Sequence, residues 1–417
     1  MKRRTFVAAA STAALAADTK NGPATEPVPS KPLQASYWGT GYYDESEKQQ
    51  VADVLAGRNP FRWYGPEPPL KVATFEREFA AKMGTRFALA VTSGTAALQC
   101  AVNALKLGPG DEVILPAWTW HSCYCAIVLA GALPVFAEID ESFNIDSADI
   151  EHRINPNTKA IMAVHLQGNP CDLDGVLAMA KKHDLRVIED CAQSVGATYK
   201  NRRVGSMGDI GIYSLQLNKT ITAGEGGAVV TNDAEIFERA VRFHDVGMIR
   251  PLHQNLTGQQ RMNPFVGTNF RMNEFSGGVL LAQVRKLDRI IGDARANARR
   301  VYDGIADMKG IRFRKRFDPA GELGVGAYIE FSSKQQRDQF MAGMKAEGVP
   351  ASAPSGSAIL PVQPYIENKW TVHEAWPTFN SPRGKAIEYG AASCPKTIDI
   401  LNRFGGVLID PRWTQRE

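Results

Sequence analysis

Between Phe87 and Asn232 the chain alternates short, continuous apolar runs with amphipathic stretches, and this alternation restricts the fold more than any other feature. FALAVTS, EVILPA, LPVFAEI, AIMAVHL, RVIED, IGIYSLQ and GGAVVTN read as strands. GTAALQCAVNALKLG, HSCYCAIVLAGA and LDGVLAMAKKHD read as helices set between them. A strand that is apolar on both faces must be covered on both faces, so the pattern predicts an α/β fold with a mostly parallel sheet between helices. No repeat of fixed period accompanies it, which excludes a solenoid. Before the first strand, TFEREFAAKMG reads as an amphipathic helix closed by Gly84. After the last, residues 270–305 carry one long helical pattern that reads as a bridge to a smaller C-terminal domain. The expected division is 36–290 for the large domain and 291–417 for the small one.

The chain has 417 residues, enough to bury a core without disulfides. Its net charge of +4 comes from scattered basic residues, with no basic block of the kind that tracks nucleic acid. No apolar run reaches the length of a membrane span, so stable membrane insertion is not expected. The six cysteines form neither a CxxC pair nor a paired framework. Cys123 and Cys125 alternate as metal ligands can, but no cluster completes a site, and buried free thiols are expected. At the N-terminus, Arg3-Arg4 precedes a mild apolar stretch ending in Ala14-Leu15-Ala16. Residues 1–17 thus carry the parts of a twin-arginine export signal, which would make the protein periplasmic; an Ala-rich tail of a cytoplasmic protein has the same composition. Residues 18–35 are Pro-rich and polar, a linker.

Four stations along the strand–helix core bear chemistry. In VTSGTAAL, Gly94 and Thr95 open a helix just after a strand. A helix start offers unpaired N–H groups and a positive dipole end, a phosphate cradle, although a plain Ser N-cap reads the same way. In PAWTWHS, Trp118 and Trp120 follow the carboxyl end of a strand, where open α/β sheets place ligands; either packs in the core or lies on a planar ring. In RVIEDCAQ, Asp190 ends a strand with Gln193 close behind, placed either to hold a protonated ring nitrogen or to cap a helix, while Glu189 alternates to the opposite side. In YSLQLNKT, Lys219 follows an apolar run and precedes a Gly-Glu-Gly-Gly turn. A lysine in a dry site loses its proton readily and becomes a nucleophilic amine. Phosphate turn, aromatic, carboxylate and lysine, in that order, match what pyridoxal 5'-phosphate requires.

These stretches resemble the DegT/DnrJ/EryC1/StrS family, sugar-type aminotransferases with the aspartate aminotransferase fold, from about residue 38 to near the end. The resemblance implies the following roles. Gly94, Thr95 and Ser214 hold phosphate; Trp120 stacks on the ring. Asp190 pairs with the pyridine nitrogen and Gln193 lies on the phenolic-oxygen side. Lys219 forms the Schiff base. VHLQG resembles the family's VHLYG, placing His165, which is itself more simply read as a packed strand residue. GTNFRMNEF resembles GxNxRM, whose asparagine, here Asn269, reaches the phosphate of a partner subunit and so implies a homodimer with shared sites. Gln216 stands where many members have His, a pattern similar to the subgroup of 2-deoxy-scyllo-inosose aminotransferases and 3-amino-5-hydroxybenzoate synthases.

The implied activity is amino transfer from glutamine or glutamate to a keto-sugar or keto-cyclitol. Dehydratases of the family replace the lysine by histidine, and lysine is kept here. The rival readings are another reaction of the same cofactor, such as elimination, and a sensor that binds the cofactor without turning over. GEGGAVV lacks the spacing of a dinucleotide fingerprint, which discounts a nicotinamide dehydrogenase. Substrate contacts are expected from RWYGPEPP and the C-terminal domain, and His244-Asp245 reads either as a substrate-facing pair or as an ordinary helix end.

Overall fold

A computed structural model describes residues 32–64, 70–258 and 262–415. Residues 1–17, and with them the expected export signal, lie outside the described residues, as do part of the 18–35 linker and part of RWYGPEPP.

Every apolar run expected as a strand is one. In chain order the strands are β1 (Phe87–Val91), β2 (Glu112–Pro116), β3 (Leu133–Ala137), β4 (Thr158–Val164), β5 (Arg186–Asp190), the short pair β6 (Thr198–Tyr199) and β7 (Arg202–Arg203), β8 (Ile210–Ser214) and β9 (Gly227–Thr231). Seven of them form one sheet in the order β1-β9-β8-β5-β4-β2-β3. All neighbours are parallel except β9, which runs antiparallel to both β1 and β8. Two layers of apolar side chains, one on each face, complete the sandwich. The chain has an α/β fold of the aspartate aminotransferase type.

The helix Lys71–Met83 ends at Gly84, which takes the left-handed conformation (φ 70°) that a helix C-terminus favours. The long helix Glu274–Ile305 runs unbroken through residue 290. Its first part, from Leu280 to Ala294, packs on the large sheet; its last, Ala298, Val301, Tyr302 and Ile305, packs on a separate apolar cluster. That cluster covers a second sheet of β10 (Gly326–Glu330), β11 (Ala351–Ser352) and β12 (Phe404–Leu408), in the order β10-β12-β11. Between β11 and β12 the chain returns to the large sheet, where Ile359, Leu360, Ile366, Ile400 and Leu401 join its core. All six cysteines are free, and five of them are buried. Among the described residues no helix is long and apolar enough to cross a membrane.

The parallel strands share a direction, so β2, β4, β5 and β8 all end on one edge of the sheet, the edge where open α/β sheets bind ligands. The centre of that edge is anchored by Glu189. Successive residues of a strand point to opposite faces, so Glu189 and Asp190 diverge. Glu189 is fully buried and accepts from the N–H groups of Gly205 and Met207 at 2.7 Å and of Gly208 at 2.5 Å. His165 Nδ1 accepts from Cys171 N–H (3.1 Å), which leaves the ring proton on Nε2, 3.2 Å from Glu189 Oε2. His165 is thus a packed strand-end residue. Burial works against the charge of Glu189, but His165 and the backbone amides outweigh it and hold the carboxyl below its usual range.

Replacing Glu189 by Ala leaves the N–H groups of Gly205, Met207 and Gly208 without their acceptor and is expected to cost about 3 kcal/mol in urea unfolding at neutral pH. A carboxyl whose folded pKa is depressed adds stability above its unfolded value, and that stability is lost as pH falls through the folded one. The gap between wild type and Glu189→Ala should therefore narrow in acid.

Candidate active site

At that edge lies a cleft of ≈ 450 Å³ whose walls include Ser93, Gly94, Thr95, Trp120, Asp190, Gln193, Ser214 and Lys219. Seven of the eight residues expected to hold the cofactor or act on it therefore meet in one place. The eighth, Asn269, is exposed and lines no part of this cleft; its Oδ1 accepts from Arg271 N–H at 3.2 Å.

The floor is the start of the helix Gly94–Ala104. Ser93 caps it, accepting from Ala96 N–H at 3.1 Å, but the other first-turn amides have no intrahelical acceptor. Thr95 Oγ1 lies 2.8 Å from Ser122 Oγ. Two glycines let the backbones converge here. A Cβ on Gly94 would fall 2.7 Å from Ser214 Cβ, and one on Gly227 only 2.2 Å from the Ser93 carbonyl oxygen. Only glycine permits β9 to press against the turn that opens the helix. Amides, a helix dipole and the Ser214 and Thr95 hydroxyls form a concave, anion-favouring cradle, which fits a phosphate.

Asp190 is buried at the centre. Its Oδ1 accepts from Ala192 N–H (2.9 Å) and its Oδ2 from the Cys123 thiol (3.1 Å). Burial raises its pKa, against the pull of the Ala192 amide, the Cys123 thiol and the Lys219 charge. A carboxyl so desolvated calls for a cationic partner, and a protonated ring nitrogen supplies one. In the sequence Cys123 reads as a buried thiol or, with Cys125, as a metal-ligand alternation, not as a donor to Asp190. Its role as an Asp190 donor depends on the first turn of the helix His121–Leu129 reaching the carboxyl end of β5, which no local pattern reveals.

Lys219 is half-buried, and burial lowers its pKa although Asp190 and Cys123 oppose the shift. Gln193 Oε1 is taken by Gln167 N–H (3.0 Å), so its amide nitrogen is the group left to meet a ligand oxygen. Trp120 is 60% exposed, presenting a ring to the cleft, whereas Trp118 is buried and donates to the Ser355 carbonyl at 2.9 Å.

Of the other expected contacts, Arg62 and the His244-Asp245 pair lie elsewhere. Arg62 is buried, 2.7 Å from Glu76, and packs over Trp63. His244 is buried at a helix end, its pKa lowered to about 3 by burial and by Arg62, and Asp245 binds Arg250 and Arg271. The outer wall comes instead from Tyr37, Trp38, Gln167, Tyr328 and residues 352–355, of which only the C-terminal part was anticipated.

The lowered pKa of Lys219 has a sign in stability. A lysine that sheds its proton more readily when folded destabilises the fold below its folded pKa, and the penalty fades as pH rises toward the ordinary value of 10.5. Stripped of any bound group, Lys219→Met should melt above wild type at neutral pH, with the difference closing in alkali.

Comparison with known proteins agrees with this geometry. The model of the DegT/DnrJ/EryC1/StrS aminotransferase family matches residues 42–377. The GDP-perosamine synthase of Escherichia coli O157:H7 is 40% identical over 225 residues, 54% of this chain and 60% of that enzyme. The L-glutamine:2-deoxy-scyllo-inosose aminotransferase of Streptoalloteichus tenebrarius is 40% identical over 228 residues, 54% of each. The aligned stretches thus span less than two thirds of either relative. The crystal structure of 3-amino-5-hydroxybenzoic acid synthase superposes with a TM-score of 0.73 at 28% identity, covering 91% of this chain and 93% of that one. The chain belongs to the DegT/DnrJ/EryC1/StrS aminotransferase family.

Proposed function

We propose that the protein is a pyridoxal-phosphate-dependent aminotransferase that moves an amino group from glutamine or glutamate to a keto-sugar or keto-cyclitol. One observation carries the reading: Lys219 and Asp190 share a cleft whose floor is an anion-favouring helix start. The family is pyridoxal-phosphate dependent, and one relative is named for L-glutamine and a keto-cyclitol, which supports the donor and acceptor classes.

When bound, pyridoxal phosphate supplies an aldehyde carbon that bonds amines and a ring that takes up electrons. The chain does the rest. The amides at Gly94 and Thr95, with the Ser214 hydroxyl, hold the phosphate, and Trp120 covers a face of the ring. Asp190 keeps a proton on the ring nitrogen, because a buried carboxyl and a buried cation each relieve the other's desolvation. Gln193 donates its amide to the phenolic oxygen. Lys219, its proton loosened by burial, would be the amine that condenses with the aldehyde, with release of water. With an amino donor bound, the Lys219 amine would be the group free to take a proton from the donor's Cα and to return it, as general base and then general acid. The acceptor half repeats these transfers in reverse, so ping-pong kinetics follow.

The site is completed by a second copy. Asn269 is exposed and bridged to Asp245, and on the two segments so paired Val246 (52% exposed) and Val266 (93%) offer a short apolar strip. Such a strip favours burial against a partner, and a homodimer would carry Asn269 to the partner's phosphate cradle. The Arg3-Arg4 segment adds twin-arginine export to the reading: residues 1–35 fused to a folded reporter should deliver it to the periplasm, and replacing both arginines by Lys should hold it in the cytoplasm.

Visible absorption of the holoenzyme tests the activity. L-glutamine or L-glutamate should bleach the band of the lysine-bound cofactor, and a keto-cyclitol or keto-sugar should restore it. A band that ignores every amino donor would favour the sensor, and the absence of any band after adding pyridoxal phosphate would remove the site assignment. Lys219→Ala should lose transamination altogether, and Asp190→Asn at least about a hundredfold in kcat/KM. Lys219→Ala and Asn269→Ala, each inactive or weak alone, should regain activity when unfolded together and refolded, because a mixed dimer rebuilds one whole site. No recovery would argue against shared sites.

A further inference from the structure

Gln167 holds a conformation that non-glycine residues avoid. At φ 52° and ψ 40° it is left-handed, and Gly168 follows at φ 73°. Restraints from three parts of the chain keep it there. Its N–H donates to Gln193 Oε1 at 3.0 Å, its carbonyl accepts from Arg314 at 3.4 Å, and its side-chain Oε1 accepts from the Tyr328 hydroxyl at 3.1 Å. The clamp is itself rigid: Arg314 is buried, ion-paired with Glu322, and lies over the Tyr328 ring at 4.9 Å. Burial pushes the Tyr328 hydroxyl up to about 12, so it remains a donor. Backbone strain that its surroundings enforce marks a residue whose placement serves a function.

The consequence lies in the amide. With Oε1 occupied by Tyr328, the two N–H bonds of Nε2 meet no acceptor among the described residues. Gln167 borders the outer cleft of ≈ 420 Å³, which it shares with Lys219, Trp118, Trp120 and Ser355. Among the described residues that this chain contributes to that cleft, Lys219 is the sole charged side chain; the others are aromatic, aliphatic (Leu166, Val325, Leu408, Ile409), small, hydroxyl-bearing or amide. Aromatic and aliphatic faces with neutral donors suit a ring that carries C–H faces and hydroxyl edges, whereas a phosphate-bearing ligand calls for arginine or lysine.

We propose that Gln167 is a specificity-determining residue whose amide nitrogen donates to a ring hydroxyl of the acceptor substrate, and that this acceptor is an uncharged polyhydroxylated keto ring. The proposal rests on the aminotransferase reading and goes further, naming one contact and one charge class. Gln167 acts in the second half-reaction, because only the acceptor carries the hydroxyl it meets.

The test separates the two half-reactions of the holoenzyme by stopped-flow absorption, with L-glutamine as donor and scyllo-inosose and its mono-deoxy analogues as acceptors. Gln167→Gly suits the left-handed backbone and deletes the amide; Gln167→Asn keeps an amide but withdraws it by one methylene. Both should leave the donor half-reaction and cofactor binding unchanged, and lower kcat/KM for scyllo-inosose about tenfold, the worth of a neutral hydrogen bond. One mono-deoxy analogue, lacking the hydroxyl that Gln167 meets, should be handled equally by wild type and both variants. Equal losses in both half-reactions, the same loss with every analogue, or no loss would overturn the proposal. So would a wild-type enzyme that aminates nucleotide-linked keto-sugars but no free keto ring. Failure of the wild-type donor half-reaction would instead sink the aminotransferase reading itself.

Discussion

Glu189 and Asp190 are adjacent on β5 and face opposite ways, and the site depends on that divergence. Glu189 spends its charge on backbone amides and His165 behind the sheet, fixing the loop at 205–208 and the end of β4. With the back of the strand locked, Asp190 is presented on the front with two donors of its own and a desolvated carboxyl. One strand thereby supplies both a structural anchor and an electrostatic one, because the pleat separates their surroundings.

Around Asp190 the cleft is graded. Its floor is polar and anion-favouring, its centre holds one buried carboxyl and one half-buried amine, and its outer wall is nearly free of charge. The Lys219 amine and the Asp190 carboxyl are both pushed toward their neutral forms by burial, and each partly restores the charge of the other. Such opposed shifts are what a site needs when one group must act as a nucleophile and its neighbour must hold a cation.

The strands and most of the helices were legible because their periodicity is strong and each parallel strand is a continuous apolar run. Seven of the eight anticipated site residues meet in one cleft because each sits at or just past a strand's carboxyl end, a position set by local pattern and sheet direction together. Cys123 and Gln167 were not legible. Cys123 touches Asp190 only because the first turn of a helix 67 residues earlier in the chain reaches the end of β5, and Gln167 owes its conformation to Arg314 and Tyr328, distant in sequence. Within RWYGPEPP, Arg62 turns inward to the buried Glu76 and away from the substrate cleft, since a guanidinium beside a carboxylate is satisfied better there than in an aromatic cleft.

The sequence by itself determined the alternation of strands and helices, the order of phosphate turn, aromatic, carboxylate and lysine, and hence the family chemistry, because these reside in short local patterns. The tertiary structure decided what the patterns could not. It set the antiparallel placing of β9 against the phosphate turn, the opposite fates of Trp118 and Trp120, the passage of one helix through two apolar cores, and the clamp on Gln167. Those features arise from contacts between residues far apart in the chain, and packing, not local propensity, selects them.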